Sequence, residues 1–161
     1  MDEILEILEK DSRLSPEDIA KMLRKNPKVI KQAIKKYEKE GVILKYKTVI
    51  NKELIKEANS EVRALIEVNI VPQKDVGFDK IAERIYSFPE VSSCYLISGT
   101  YDLLLIVEGK DILAVSRIVS EKIAPSENVR GTVTHFLLKK YKEDGVVLKH
   151  KKENERIAIS Y

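Results

Sequence analysis

The 161-residue sequence predicts an α+β protein, with an N-terminal winged helix-turn-helix joined to a ferredoxin-like β-α-β-β-α-β domain whose sheet is four-stranded and antiparallel. Three observations lead there. Three amphipathic segments, two of them with helix-start signals, crowd the first quarter of the chain. The apolar period changes from helical to alternating near Glu61. Beyond that point the patterns follow the order strand, helix, strand, strand, helix, strand.

Ile4, Leu5, Ile7 and Leu8 have helical spacing, which predicts a first helix over residues 2–10. In "LSPED" Ser15 is a natural N-cap, Pro16 suits the first helical position, and Asp18 occupies the capping-box position. Ile19, Ala20, Met22 and Leu23 give that second helix an apolar face to about Arg24. "KNP" repeats the device, with Asn26 capping and Pro27 opening a third helix that runs to Glu40, before Gly41. The tight junction between the second and third helices indicates a helix-turn-helix. On the third helix Ile30, Ala33, Ile34 and Tyr37 form the apolar face, and Lys28, Lys31, Gln32, Lys35, Lys36 and Lys39 lie opposite. "VILKYKTVI" after it alternates and is rich in β-branched residues, so a strand or short wing is expected there.

"EVRALIEVNIV" reads as a strand ended by Pro72, and Ile81, Ala82, Ile85 and Phe88 set out a helix over 78–88. "VSSCYLIS" and "YDLLLIV" read as a hairpin turning at Gly99 and Thr100. Asp111 should cap a helix to about Ile123, followed by one long strand, "VRGTVTHFLLKKYK". "VVLKHKK" and "RIAISY" suggest a further terminal hairpin or arm. The expected boundaries are 1–50 for the winged helix-turn-helix, 51–60 for a linker, 61–142 for the ferredoxin-like domain and 143–161 for the arm. The open face of so small a sheet needs a cover, and self-association is the usual one.

The net charge of +3 conceals an uneven distribution. Residues 1–20 carry seven acids against two bases, whereas residues 24–47 carry nine bases against two acids. A dense basic block on one helix fits a polyanion partner such as duplex DNA, or else a solvated helix face. The acidic N-terminus is unlike a secretory signal, and the longest apolar run, "LLLIV", is too short to span a bilayer. With Cys94 as the only cysteine, no intramolecular disulfide can form, so a soluble protein of the cytoplasm is expected.

Two stretches, "KKYEKEGVILKYK" (35–47) and "KKYKEDGVVLKHK" (139–151), match at eight of thirteen positions. The first follows a predicted helix and the second a predicted strand that turns at "EDG". The similarity is therefore one of composition and not a duplicated module.

The sequence resembles the Lrp/AsnC (feast/famine) family of transcription regulators over residues 2 to about 142. The resemblance rests on "EKEGVI" (38–43), "FPEV" (88–91) and above all "SGTYDLLLIV" (98–107), which matches the family's Gly-x-Tyr-Asp hairpin and apolar strand. It implies a homodimer built through the ferredoxin-like domains that assembles into tetramers or octamers. It also implies helix-turn-helix units on double-stranded DNA, and an amino acid or related small molecule in clefts between dimers. Carried onto this chain, the effector positions are Gly99, Tyr101 and Asp102, with Thr132 and Thr134 on the last core strand. The third helix departs from the family in having Lys and Gln where Ser and Arg are usual. Lysine neutralises phosphate as a point charge but lacks the fork that reads guanine. Gln32 is either the base contact, pairing with adenine, or ordinary exposed polarity. Asp102 either meets a ligand's ammonium group or orders its own turn.

His135, His150 and Cys94 lack metal-ligand spacing, and no phosphate loop, nucleophile elbow or paired catalytic carboxylates are evident. No cofactor, metal or enzymatic activity is expected. Two alternatives stand beside the regulator. One is a ligand-sensing or architectural protein that binds DNA weakly and without sequence preference. The other is an enzyme like the siroheme decarboxylases, which look similar to this family but need basic and His residues around a tetrapyrrole; the segment "GVILKYKTVI" has neither Arg nor His.

Overall fold

The computed structural model describes residues 2–55, 61–71 and 77–148, and the chain divides into two compact units, Met1–Ile50 and Asn51–Tyr161. In the first unit, helices α1 (Glu3–Lys10), α2 (Pro16–Leu23) and α3 (Pro27–Lys39) each begin at a side-chain cap. The Asp2 carboxylate accepts from the Ile4 amide at 2.8 Å. The Ser15 hydroxyl oxygen accepts from the Asp18 amide at 3.1 Å, and the Asp18 carboxylate accepts back from the Ser15 amide. The Asn26 side chain accepts from the Lys28 amide at 2.9 Å, and the prolines at 16 and 27 occupy the helix starts. These caps satisfy amides that the helices leave without internal partners.

Ile4, Leu8, Ile19, Ala20 and Ile30 form the small core of this unit, one or two residues from each helix. The Tyr37 hydroxyl donates to the Asp2 carboxylate at 2.7 Å and ties the end of α3 to the start of α1. Helix α3 ends in a Schellman motif: the Gly41 amide donates to the Glu38 carbonyl and the Val42 amide to the Tyr37 carbonyl. Gly41 has φ of 71°, a left-handed conformation that a Cβ would penalise.

The strand or wing expected over residues 42–50 is absent; this stretch is irregular. A strand is held by ladder hydrogen bonds, and no strand occurs among the described residues of this unit to supply them. Ile43 instead packs on the helical core, Tyr46 donates to the Glu38 carboxylate at 2.9 Å, and Leu44 stays 87% exposed.

The second unit contains β1 (Val62–Ile70), α4 (Phe78–Tyr86), β2 (Val91–Leu96), β3 (Leu103–Gly109), α5 (Ile112–Ile118) and β4 (Val129–Phe136). The strands form one antiparallel sheet in the order β2-β3-β1-β4, so the expected ferredoxin-like succession is present. Strand period decides which face is covered. Ala64, Ile66, Val68 and Ile70 of β1 join Leu103, Leu105 and Val107 of β3 in a core with Ile81 and Ile85 of α4 and Val115 and Ile118 of α5. Both helices therefore cover one face of the sheet. Residues between those positions, among them Leu65, Glu67, Leu104 and Ile106, point to the other face, which no described helix covers.

Several expected boundaries shift. Helix α5 gives way to one π turn, Val119–Ile123, in place of continuing as a single helix. Within that turn the Lys122 ammonium donates to Glu90 at 2.6 Å and lies 5.6 Å from the Phe88 ring centre, so the "FPEV" stretch seats this turn. Strand β4 ends at Phe136 and does not run through Lys142. The Leu137 amide still donates to the Arg63 carbonyl at 2.9 Å, and the chain leaves the ladder beyond it. The hairpin connection is six residues, 97–102, longer than the two expected. A short hairpin pairs β5 (Lys142–Glu143) with β6 (Val146–Val147) across Asp144 and Gly145, whose φ angles of 45° and 80° suit a tight turn. The two similar stretches thus serve different elements, a helix end at 35–41 and this hairpin at 142–147. The rest of the expected terminal arm, residues 149–161, lies outside the described residues.

Candidate DNA-contacting helix and effector hairpin

On α3 the side chains are sorted by the helix period. At about 100° per residue, Lys28, Gln32, Lys35 and Lys39 fall in one stripe, Lys31 and Lys36 flank it, and the six span about 140°. Ile30, the buried residue of this helix, lies on the opposite side. All six polar residues are exposed. Among these lysines, Lys36 stands 3.9 Å from Glu40, so its charge is partly answered within the helix. The acids keep to other surfaces: Glu3 is engaged with Lys25 at 3.1 Å, and Asp11 with Arg13 at 2.8 Å. Hydrogen bonds from Arg13 hold the Asp11 carboxyl down at about 2. The lysine stripe is thus not neutralised by the acid-rich α1, and its field is available to an anion.

The turn before α3 has a feature that sequence reading missed. Arg24 caps α2 in the left-handed region, with φ of 52° and ψ of 41°, where Gly or Asn is usual. The Lys25 amide then donates to the Ala20 carbonyl at 2.9 Å, closing the turn. Nothing in the sequence marked this, because arginine is not a residue associated with that conformation.

In the second unit the Gly-x-Tyr-Asp hairpin lies at the end of the sheet where β1 finishes. The Asp102 amide donates to the Val68 carbonyl at 3.0 Å, and its carboxylate Oδ2 accepts from the Ile70 amide at 2.7 Å. Ile70 sits at a register shift between β1 and β4, so Asp102 satisfies an amide at a point where the ladder is irregular. No further hydrogen bond to its Oδ1 is found among the described residues. Gly99 is exposed, and a Cβ there would meet only Ile97 Cγ2 at 3.6 Å, an ordinary contact. Tyr101 is half-buried.

Thr132 is registered with Val68 and Thr134 with Ile66, which puts both threonines on the helix-covered side of β4. Asp102 and Thr132 therefore flank the same end of β1 from its two neighbouring strands. Thr134 lies one pleat repeat further from the hairpin. Cys94 is partly buried against the core, and burial pushes its thiol up from the ordinary range, as fits a packing role. Among the described residues, no group of His, Cys, Asp and Glu could hold a metal ion, and no helix is long and apolar enough to cross a membrane.

The arrangement of a helical unit before a two-layer sheet unit is matched in sequence by two family models. Winged helix-turn-helix DNA-binding matches residues 3–43, and the Lrp/AsnC ligand binding domain matches residues 63–147. The chain belongs to the Lrp/AsnC family. It is 44% identical over 158 residues to the HTH-type transcriptional regulator YugG of Bacillus subtilis, covering 98% of this chain and 95% of that one. It is 33% identical to the HTH-type transcriptional regulator LysM of Saccharolobus solfataricus, covering 84% and 89%. Among solved structures, the transcriptional regulator NMB0573 of Neisseria meningitidis, crystallised as an L-Met complex, has 26% identity and a TM-score of 0.69, covering 89% of this chain and 93% of that one. This Lrp/AsnC protein is accordingly a transcriptional regulator with a DNA-binding helix-turn-helix and a ligand-binding domain.

Proposed function

We propose that this Lrp/AsnC protein acts in the cytoplasm as a homodimer, or as a tetramer or octamer assembled from such dimers, that grips duplex DNA through α3 and changes assembly when an amino acid binds at the hairpin. The observation that carries the DNA half is the exposure of Lys28, Lys31, Gln32, Lys35, Lys36 and Lys39 on one side of α3, with the core residue Ile30 on the other. The lysines would contact phosphates and Gln32 an adenine edge. On this reading residues 1–50 are the DNA-binding domain and 61–142 the effector and oligomerisation domain. No catalytic step is assigned to any residue.

For the effector half, support comes from Asp102, whose Oδ2 is fixed by the Ile70 amide, and from the space beside Gly99 that a side chain could occupy without strain. A carboxylate held in place suits an α-ammonium group, with Thr132 and Thr134 as nearby polar residues. The Neisseria relative in complex with L-Met makes amino acids the first class to screen. Coupling requires that the effector bind one assembly more tightly than the other.

The test is the salt dependence of DNA binding. Each lost phosphate contact lowers the slope of log affinity against log salt by about 0.9 on duplex DNA. Lys35→Ala with Lys39→Ala removes two candidate contacts per protomer, so a dimer on two half-sites should lose up to about 3.6 from the slope. An unchanged slope would remove α3 from the interface.

A further inference from the structure

The exposed side of α3 is not wholly polar. Val29 is 55% exposed and belongs to neither buried core. The other apolar residues of the helix are engaged: Ile30 is in the core, Ala33 and Ile34 pack against it, and the Tyr37 hydroxyl is bonded to Asp2. At about 100° per residue, Val29 lies about 20° from Lys36 and about 60° from Gln32, on the margin of the lysine stripe. With Asn26 as the cap and Pro27 in first place, Val29 is the third residue of α3.

Local chemistry gives no reason for a valine there. The same position of α2 holds Asp18, whose carboxylate accepts from the Ser15 amide and completes the capping box. An acid or a longer amide could do the same for α3 and would suit the helix dipole. Valine loses side-chain freedom in a helix, and an exposed one recovers little through burial. Departures of this kind from local consistency belong to strained or functional sites. Val29 lies within regular helix, which leaves function. An acid at this place would also repel phosphate, so the valine and the lysines beside it suit one and the same partner.

We infer that Val29 is a specificity-determining residue whose methyl groups contact the C5-methyl of a thymine in the major groove, beside the adenine that Gln32 pairs with. The inference rests on the reading above that α3 lies in that groove. Residues near the N-terminus of such a helix contact base edges, and the thymine methyl is the apolar group displayed there. Val29 and Gln32 are about 4.5 Å apart along the helix axis, comparable to the base step of about 3.4 Å. Together they select neighbouring A·T pairs, which lysine contacts to phosphate cannot do. The absence of arginine from α3 fits this, since the guanidinium fork serves guanine.

The test is binding of the full chain to a duplex from upstream of its own gene, compared with the same duplex carrying deoxyuridine at every thymine. That replacement removes the C5-methyl groups and leaves phosphates and hydrogen-bonding edges in place. Burying one methyl is worth about fourfold in affinity, so a dimer on two half-sites should bind the deoxyuridine duplex about fifteenfold more weakly. Val29→Ser exchanges the methyls for a hydroxyl at an exposed position and should melt as wild type does. It should bind the thymine duplex about fifteenfold more weakly than wild type and distinguish the two duplexes by less than about twofold. Met22→Ser alters the other large apolar side chain exposed on α2 and α3, and should keep the full discrimination. A Val29→Ser protein as sensitive to deoxyuridine as wild type would overturn the inference, as would a wild type that binds both duplexes equally. A salt slope unchanged by Lys35→Ala with Lys39→Ala would instead overturn the reading on which it rests.

Discussion

Replacing Asp102 separates two roles that one carboxylate combines. Its Oδ2 accepts from the Ile70 amide at 2.7 Å in a partly buried setting, where the β1–β4 register shifts. A hydrogen bond to a charged group contributes about 1.5–3 kcal/mol, and leaving its buried donor unpaired costs about 1–3 kcal/mol. Asp102→Ala should therefore destabilise the sheet unit by about 2 kcal/mol, on the order of 8–16 °C in melting temperature for a domain of this size. Asp102→Asn keeps an oxygen acceptor of the same shape and removes only the charge, so its loss should stay below about 1 kcal/mol. Ammonium binding needs the charge, so both variants should lose the effector response. The assays are thermal unfolding of the full chain and sedimentation with each of the common amino acids. A stable Asp102→Ala protein would refute the bracing argument. An Asp102→Asn protein that still changes assembly with the wild-type effector would refute the ammonium contact.

Gly99→Ala should leave stability within about 0.5 kcal/mol, since the new Cβ makes only an ordinary contact, yet weaken the effector response; thermal unfolding and the same sedimentation screen check both halves. Ser15→Ala removes the acceptor for the Asp18 amide and should cost the helical unit about 1 kcal/mol, read from urea unfolding followed by helical circular dichroism. Hydrogen bonds from Arg63 and then Lys140 hold the Glu143 carboxyl below its ordinary value. A group depressed in the folded state contributes stability above the ordinary carboxylate range and loses it as pH falls through the depressed value. The β5–β6 hairpin should therefore loosen below about pH 4 while remaining attached at neutral pH. Hydrogen exchange at the Leu148 amide, which donates to the Tyr141 carbonyl, reports this. Protection unchanged down to pH 3 would count against it.

The parts of the fold legible in the sequence are those fixed by local chemistry. Ser15-Pro16 and Asn26-Pro27 determine where α2 and α3 begin, and Gly41 determines where α3 stops. The alternation in "EVRALIEVNIV" assigns Ala64, Ile66, Val68 and Ile70 to the covered face before any partner is known. What was not legible depends on pairing between distant segments. "VILKYKTVI" has every local mark of a strand, yet no neighbouring strand in its unit supplies the ladder. "VRGTVTHFLLKKYK" reads as continuous, but pairing with β1 ends at Phe136, opposite Ala64. The same limit applies to the site. The lysine face of α3 follows from the helix period alone. That Asp102 braces the end of β1 requires the sheet register.

The central claim is that the lysine-rich α3 binds DNA with preference for sequence, and binding of the full chain to duplex DNA across a salt series tests it most directly. The duplexes would be a labelled fragment from upstream of its own gene and a shuffled fragment of equal length and composition. The account predicts tighter binding to the native fragment, with a preference that persists as salt rises and phosphate contacts weaken. Equal affinity for both fragments, lost together as salt rises, would contradict it and leave α3 as a grip on phosphates alone.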